Sequence, residues 1–407
     1  MHQFRQQPLK GLYLVYQLIS TIFVRLPLWA FLNAIRSLRP RPSWNIQRVL
    51  AVNSIRHVMN VTNETGPLVT IPDYRAIKPG EGVEGVWVSP APELVTGELE
   101  KLAEIANVTP IRIPGYWLHK KGTNIEVAAG LQPEEKVLYN LHGGAYCRMS
   151  AHPSDITANI VKGILEHVPS IKRAFSVEYR LSSTKPFPVA HPFPTALLDA
   201  LSGYNYLVNE LGIPPSSIVM CGDSAGGNLA QALTRYLVEN QGSNPDTKVP
   251  TPPGALILLS PWSDLSQYHE DMPGGSAFEF ANSDYVGERN GGTGWAKDAF
   301  TGPHGRSIAD TSPYVSPASL HPGFTISFKG FPRTFINGGG AEVLIDQIRT
   351  LRDRMVHDLG EGNGVQDGDG RVRYHEAPDG VHDYLVFPWH EPERSDTLRA
   401  IADWVEA

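Results

Sequence analysis

The chain has little cysteine, with only two in 407 residues, Cys147 and Cys221. That excludes a disulfide-stapled scaffold. No Cys/His spacing matches a zinc site, so no metal is expected. Basic residues are not in excess: the formal net charge is −7 and the sequence pI about 6.1. A general nucleic-acid-binding protein is therefore excluded. Internal repeats are also missing. Apolar content is ordinary at 41%, enough for a sizeable buried core. The length fits one large domain, or a catalytic domain with an appendage.

Long apolar runs are scarce except at the N-terminus. There GLYLVYQLISTIFV (Gly11 to Val24) is broken by Arg25 and resumes as LPLWAFLNAI (Leu26 to Ile35), with Arg36, Arg39 and Arg41 behind it. About 20 apolar residues span a bilayer. Arg25 and Pro27 oppose a simple span, because a charge at the bilayer centre costs a few kcal/mol or more. A pair of helices lying in the membrane interface fits as well, and helices packed on the protein's own surface are the plain alternative. The run is too long for a signal peptide and lacks a small-x-small cleavage site. Residues 1–44 are accordingly an apolar segment expected to make membrane contact through residues 11–35. The expected location is intracellular and membrane-associated, the endoplasmic reticulum included. RPRPSW (Arg39 to Trp44) then reads as a stiff connector. Three glycosylation sequons, at Asn60, Asn63 and Asn107, matter only if the chain faces a secretory lumen.

Beyond Tyr116 the pattern becomes regular. Short β-rich runs appear at 137–142, 174–179, 217–222, 255–260, 334–339 and 372–377, and helical periodicity fills most gaps between them. Strands alternating with helices predict a mostly parallel sheet covered on both faces. The stretch GEGNGVQDGDG (Gly360 to Gly370) reads as a mobile surface loop whose aspartates lack EF-hand spacing.

One stretch carries chemistry. Gly222-Asp223-Ser224-Ala225-Gly226 follows an apolar β-run and opens a helical pattern. Flanking glycines let the chain turn sharply and leave the serine hydroxyl at the helix N-terminus, the context of a nucleophile elbow. A serine hydroxyl needs a base. Among His357, His375, His382 and His390, His382 stands in a loop just after a strand, where open α/β sheets meet ligands. The acid belongs between serine and histidine. Glu342, first after the FINGG strand, is preferred over Asp346 one turn later. An oxyanion needs backbone N–H donors. Ala225 follows the serine directly, and the loop LHGGAY (Leu141 to Tyr146) offers Gly143 and Gly144.

HGGAY with GDSAGG, in the order serine, acid, histidine, resembles the hormone-sensitive-lipase-like branch of the α/β-hydrolase family. YRLS, PFPVAH, LLDA, LLSPWSDL, SPYVSP and GGAEVLID add to the likeness, which covers about Tyr116 to the C-terminus. The resemblance implies an α/β-hydrolase fold over residues 45–407, with cap elements at roughly 45–110 built partly from N-terminal helices. It implies carboxylester hydrolysis of a small apolar ester, acetate or lactone by Ser224, Glu342 and His382, without a cofactor. Two departures stand out: Ala145 takes the place of the usual third glycine, and Glu342 that of the aspartate more often paired with GDSAG. The N-terminal segment is similar to fungal members of natural-product pathways, which implies a tailoring substrate. Condensation or cyclisation on the same fold is the rival reading, and a non-catalytic binding protein a third. The cysteines flank the site in sequence and are expected to pack rather than to catalyse. Oligomeric state is left open.

Overall fold

The computed structural model describes residues 3–68, 71–123, 125–127, 129–242, 249–287 and 292–407. Eight strands form one sheet: β1 Glu84–Val88, β2 Ile113–His119, β3 Lys136–Leu141, β4 Ile171–Val177, β5 Ile218–Asp223, β6 Ala255–Leu259, β7 Arg333–Gly339 and β8 Val372–Ala377. Their spatial order is β1-β2-β4-β3-β5-β6-β7-β8. From β4 through β8 all neighbours pair in parallel. β2 runs antiparallel to both β1 and β4.

Both sheet faces are buried, which is why the central strands are largely apolar instead of alternating strictly with polar residues. On β6, Leu256 and Leu258 enter one core, while Ile257 and Leu259 enter the other. On β3, Tyr139 and Leu141 face the first core and Leu138 the second. The first face is covered by the helices Thr195–Asn205, Ala225–Asn240 and Ile345–Leu359. The second is covered by Ala158–His167 and Glu393–Glu406, with Ile46–Thr65 packed alongside through Val49 and Val52.

Six strands match the expected runs within a few residues. β1 and β2 lie at the antiparallel edge, and their mixed composition carries no clear alternation. β1 falls inside the stretch 45–110 expected to form a cap: Gly85 pairs with Tyr116, so part of that stretch extends the sheet. Residues 360–370 fold back on themselves, with Gly362 N–H bonded to Val372 O and Gly364 N–H to Gly370 O.

At the N-terminus a helix runs from Leu9 to Leu32, its middle turn, Thr21–Arg25, wound as a π-helix. The wider turn immediately precedes Pro27, whose ring would clash with a regular α-helical ladder. The helix leans on Ile46–Thr65 at one side, where Arg5 Nη2 donates to Asn63 O and Lys10 Nζ to Pro67 O. Most of it is bare: Leu12, Leu18, Phe23 and Phe31 are each at least 62% exposed. It is long and apolar enough to cross a membrane.

Candidate active site

The parallel strands end along one edge of the sheet, and the loops leaving that edge carry the expected residues. After β5 the chain turns at Ser224, whose φ of 51° and ψ of −117° lie in a region disfavoured for a residue with a side chain. Two glycines make the turn sterically feasible. A Cβ on Gly222 would lie 2.2 Å from Gly226 O, and one on Gly226 would lie 2.0 Å from Leu141 O. The elbow is thus pressed against β3. Ser224 N–H donates to Leu259 O and Trp262 N–H to Ser224 O, tying it to β6 as well.

The loops after β7 and β8 pack backbone to backbone. Cβ atoms on Gly339 and Gly340 would meet Gly380 O and Pro378 O at 2.3 and 2.7 Å, so the glycine run permits this approach. Gly340 N–H bonds to Ala377 O and Ala341 N–H to Gly380 O. This contact brings Glu342 beside His382. Glu342 Oε2 is 3.2 Å from His382 Nδ1, and His382 Nε2 is 3.0 Å from Ser224 Oγ. All three residues are buried. Asp346 lies elsewhere, accepting from Ser276 N–H at 2.7 Å and pairing with Arg349. Of the other histidines, His375 is on β8, His357 is exposed beside Asp358, and His390 pairs with Glu393.

The oxyanion loop corrects one expectation. Gly143 N–H does not face an open site: it donates to Asp223 Oδ2 at 3.0 Å. A Cβ on Gly143 would also lie 2.3 Å from that oxygen. Position 143 is therefore glycine because the loop rests directly on the elbow, and its amide holds the two together. Gly144 has φ +109° and Ala145 φ +53°, so the chain reverses here. Gly144 O accepts from the amides of both Cys147 and Arg148. His142 is locked beneath: its Nδ1 lies 2.7 Å from Gly143 O, and its ring stacks on Tyr179 at 4.2 Å. Burial drops its pKa to about 4, so it is neutral at working pH. Tyr146 Oη donates to Asn228 Oδ1, whose amide nitrogen bonds Trp262 O and Val315 O.

Sequence reasoning passed over two acids here. Asp284 belongs to no motif, yet its Oδ1 accepts from His382 N–H at 3.2 Å and its Oδ2 from Val343 N–H at 2.9 Å. It pins the loops of the base and the acid to a common point. Asp383, next to the histidine, places Oδ2 3.1 Å from His382 Nε2. Its signal was a charged residue inside the otherwise apolar VHDYLVF. Burial and then Asp383 push the Asp223 carboxyl well above its usual range. Burial lifts Glu342 to about 7, against the pull of His382. For His382 burial works downward, but Asp383 and then Glu342 outweigh it and hold the imidazolium well above its ordinary value.

Both thiols are inert by environment. Burial pushes Cys147 up to about 12 and Cys221 well above the usual range. Among the described residues, no group of three or more His, Cys, Asp or Glu is arranged to hold a metal ion.

Comparison with known proteins agrees with this architecture. Residues 138–386 match the family described as alpha/beta hydrolase fold. The chain is 28% identical over 282 residues to the esterase LipU of Mycobacterium tuberculosis, covering 68% of this chain and 81% of that one. It is 30% identical over 218 residues to an acetyl-hydrolase of Streptomyces hygroscopicus, covering 53% and 59% of the two chains. The crystal structure of an esterase from the bacterial hormone-sensitive lipase family superposes with TM-score 0.56 at 21% identity, over 87% of this chain and 96% of that one. The chain belongs to the α/β-hydrolase fold family and is a carboxylester hydrolase, similar to the hormone-sensitive-lipase-like esterases.

Proposed function

We propose that the enzyme hydrolyses a small apolar ester by two-step acyl transfer through Ser224, His382 and Glu342. The observation that carries this reading is the line Ser224 Oγ–His382 Nε2, His382 Nδ1–Glu342 Oε2, with separations of 3.0 and 3.2 Å. His382 takes the serine proton as the hydroxyl attacks the ester carbonyl. Glu342 orients the imidazole and balances its charge. The imidazolium then gives that proton to the departing alcohol, and water repeats the sequence to release the acid. The amide of Ala225, first in its helix, and that of Gly144 are the oxyanion donors in this reading, since the Gly143 amide is engaged by Asp223.

The acyl group proposed is short, acetyl being the simplest, which the likeness to an acetyl-hydrolase supports. The helix Leu9–Leu32 is proposed to rest on or in a lipid surface, since its leucines and phenylalanines are largely exposed among the described residues. The Ile46–Thr65 helix links that anchor to the site. Its Arg56 donates to Asp284 O, and its Asn63 Oδ1 accepts from Arg148 beside the oxyanion loop. These contacts support a cap role for this helix. A biosynthetic tailoring role is the setting suggested by the resemblance to fungal pathway members.

The test is turnover of p-nitrophenyl acetate and butyrate, together with labelling by a serine-directed fluorophosphonate. Both are expected in the wild type and lost in Ser224→Ala. Glu342→Gln should lose most turnover and Asp346→Asn little. A wild type that neither turns over nor labels overturns the reading.

A further inference from the structure

The base is bracketed by two carboxylates instead of one. Glu342 sits on Nδ1 at 3.2 Å, and Asp383 Oδ2 sits on Nε2 at 3.1 Å, level with the serine oxygen at 3.0 Å. Asp383 is held there by its backbone. Its residue adopts a left-handed conformation, φ 46° and ψ 37°, and its N–H donates to Ser260 Oγ at the end of β6. The side chain is 9% exposed, and its Oδ1 has no hydrogen-bond partner among the described residues.

An ionised carboxylate and a bare nitrogen lone pair repel each other at this distance. The arrangement is favourable when Nε2 carries a proton. We propose that Asp383 is a positioning residue that holds the proton on His382 Nε2, so that the enzyme works only once pH rises enough to remove it. The inference rests on the acyl-transfer reading for its kinetic consequence, though not for the titration itself.

Among the described residues, these groups surround the imidazole: Asp223 and Ser224 from the elbow, Ser260 just after β6, Glu342 from the loop after β7, and Asp284 and Tyr285 from the segment beyond β6. Tyr285 packs its ring 6.1 Å from the imidazole. No Lys or Arg side chain is bonded to Asp383 or Glu342 among the described residues, so the imidazolium is their cationic partner. Asp284 spends its oxygens on the Val343 and His382 amides, with Oδ1 also accepting from Tyr285 N–H, and Asp223 accepts from Gly143. Glu342 and Asp383 are the two acids in contact with the ring.

The sign follows directly. An anion against Nε2 favours the protonated ring, raising its pKa. The neutral ring is the base, so activity falls as pH drops through that raised value. Removing the charge should move the fall to lower pH. An opposite charge this close shifts a pKa by about 1–3 units, so Asp383→Asn is expected to move the acid limb of kcat/KM down by about one unit or more. Activity at pH 6 relative to its plateau should rise roughly tenfold for each unit moved.

The experiment measures kcat/KM for p-nitrophenyl acetate against pH in the wild type, Asp383→Asn and Asp383→Ser. Alongside it, the His382 ring is titrated by NMR in histidine-labelled protein, with the signal assigned by loss in His382→Gln. Expected are a wild-type His382 pKa above the ordinary value of about 6.5 and a fall in both folded Asp383 variants. A wild-type pKa at or below the ordinary value overturns the proposal, and so does an unmoved limb in a folded variant. The wild-type titration needs no variant, so misfolding of both leaves the proposal decidable. If the wild type shows no Ser224-dependent turnover, the acyl-transfer reading fails while the titration still decides the inference.

Discussion

Ser224 holds its backbone at φ 51°, ψ −117°, and the surroundings leave it no alternative, since the elbow is closed on β3 by Gly222 and Gly226. Strain of this kind costs about 1–3 kcal/mol for a residue with a Cβ. Comparing Ser224→Gly with Ser224→Ala isolates it, because both variants lack the hydroxyl and its bond to His382. Glycine relieves the strain but has the more disordered unfolded chain, a penalty of about 0.4–1 kcal/mol. The glycine variant should therefore be the more stable by about 0.5–2 kcal/mol. With unfolding entropy near 2.1 cal/mol/K per residue, each kcal/mol moves Tm by about 1 °C in a chain this long, so a gap of roughly 1–2 °C is expected. Differential scanning calorimetry of the two variants at one scan rate measures it, and both should have lost at least about 10³-fold in turnover. If Ser224→Gly melts at or below Ser224→Ala, the elbow is not strained and the argument from its dihedral angles is wrong.

Gly143→Ala places a methyl group 2.3 Å from Asp223 Oδ2, with the Asp223 carbonyl at 3.0 Å on the same side. The oxyanion loop must lift off the elbow, and kcat/KM for p-nitrophenyl acetate should fall by about 10²-fold or more; an unchanged value would mean that the loop does not position the oxyanion. Removing residues 1–38 takes away the exposed apolar helix. The full chain should float with phospholipid vesicles in a density gradient and the truncated chain should stay at the bottom, whereas a full-length chain that ignores the vesicles refutes the lipid contact.

Much of the catalytic edge was legible from local pattern alone. An apolar run of strand length, a glycine-flanked serine and a helical period are all short-range features, and they appear in GDSAGG and the residues around it. The inner strands β3 to β7 were readable for the same reason: burial on both faces makes them largely apolar, and the edge strand β8 was readable as a short β-rich run. Glu342 was preferred over Asp346 from the order of strand, loop and helix, and the folded chain puts Glu342, not Asp346, against the imidazole. β1, at the edge, and β2, between β1 and β4, were not readable, because runs of mixed polarity carry no period of their own.

What only the tertiary structure decided concerns contacts between loops distant in the chain. Asp284 meets the His382 amide across 98 residues and Gly143 meets Asp223 across 80. No local pattern encodes either approach. Asp383 was visible as a charge beside the histidine, but not that a left-handed turn swings its carboxylate back onto Nε2. Residue type and order determine which groups are present at the edge of the sheet. Which N–H is free, and which carboxylate touches which nitrogen, depends on how the loops after β3, β5, β7 and β8 pack against one another, because hydrogen bonds are set by distances that sequence separation does not specify.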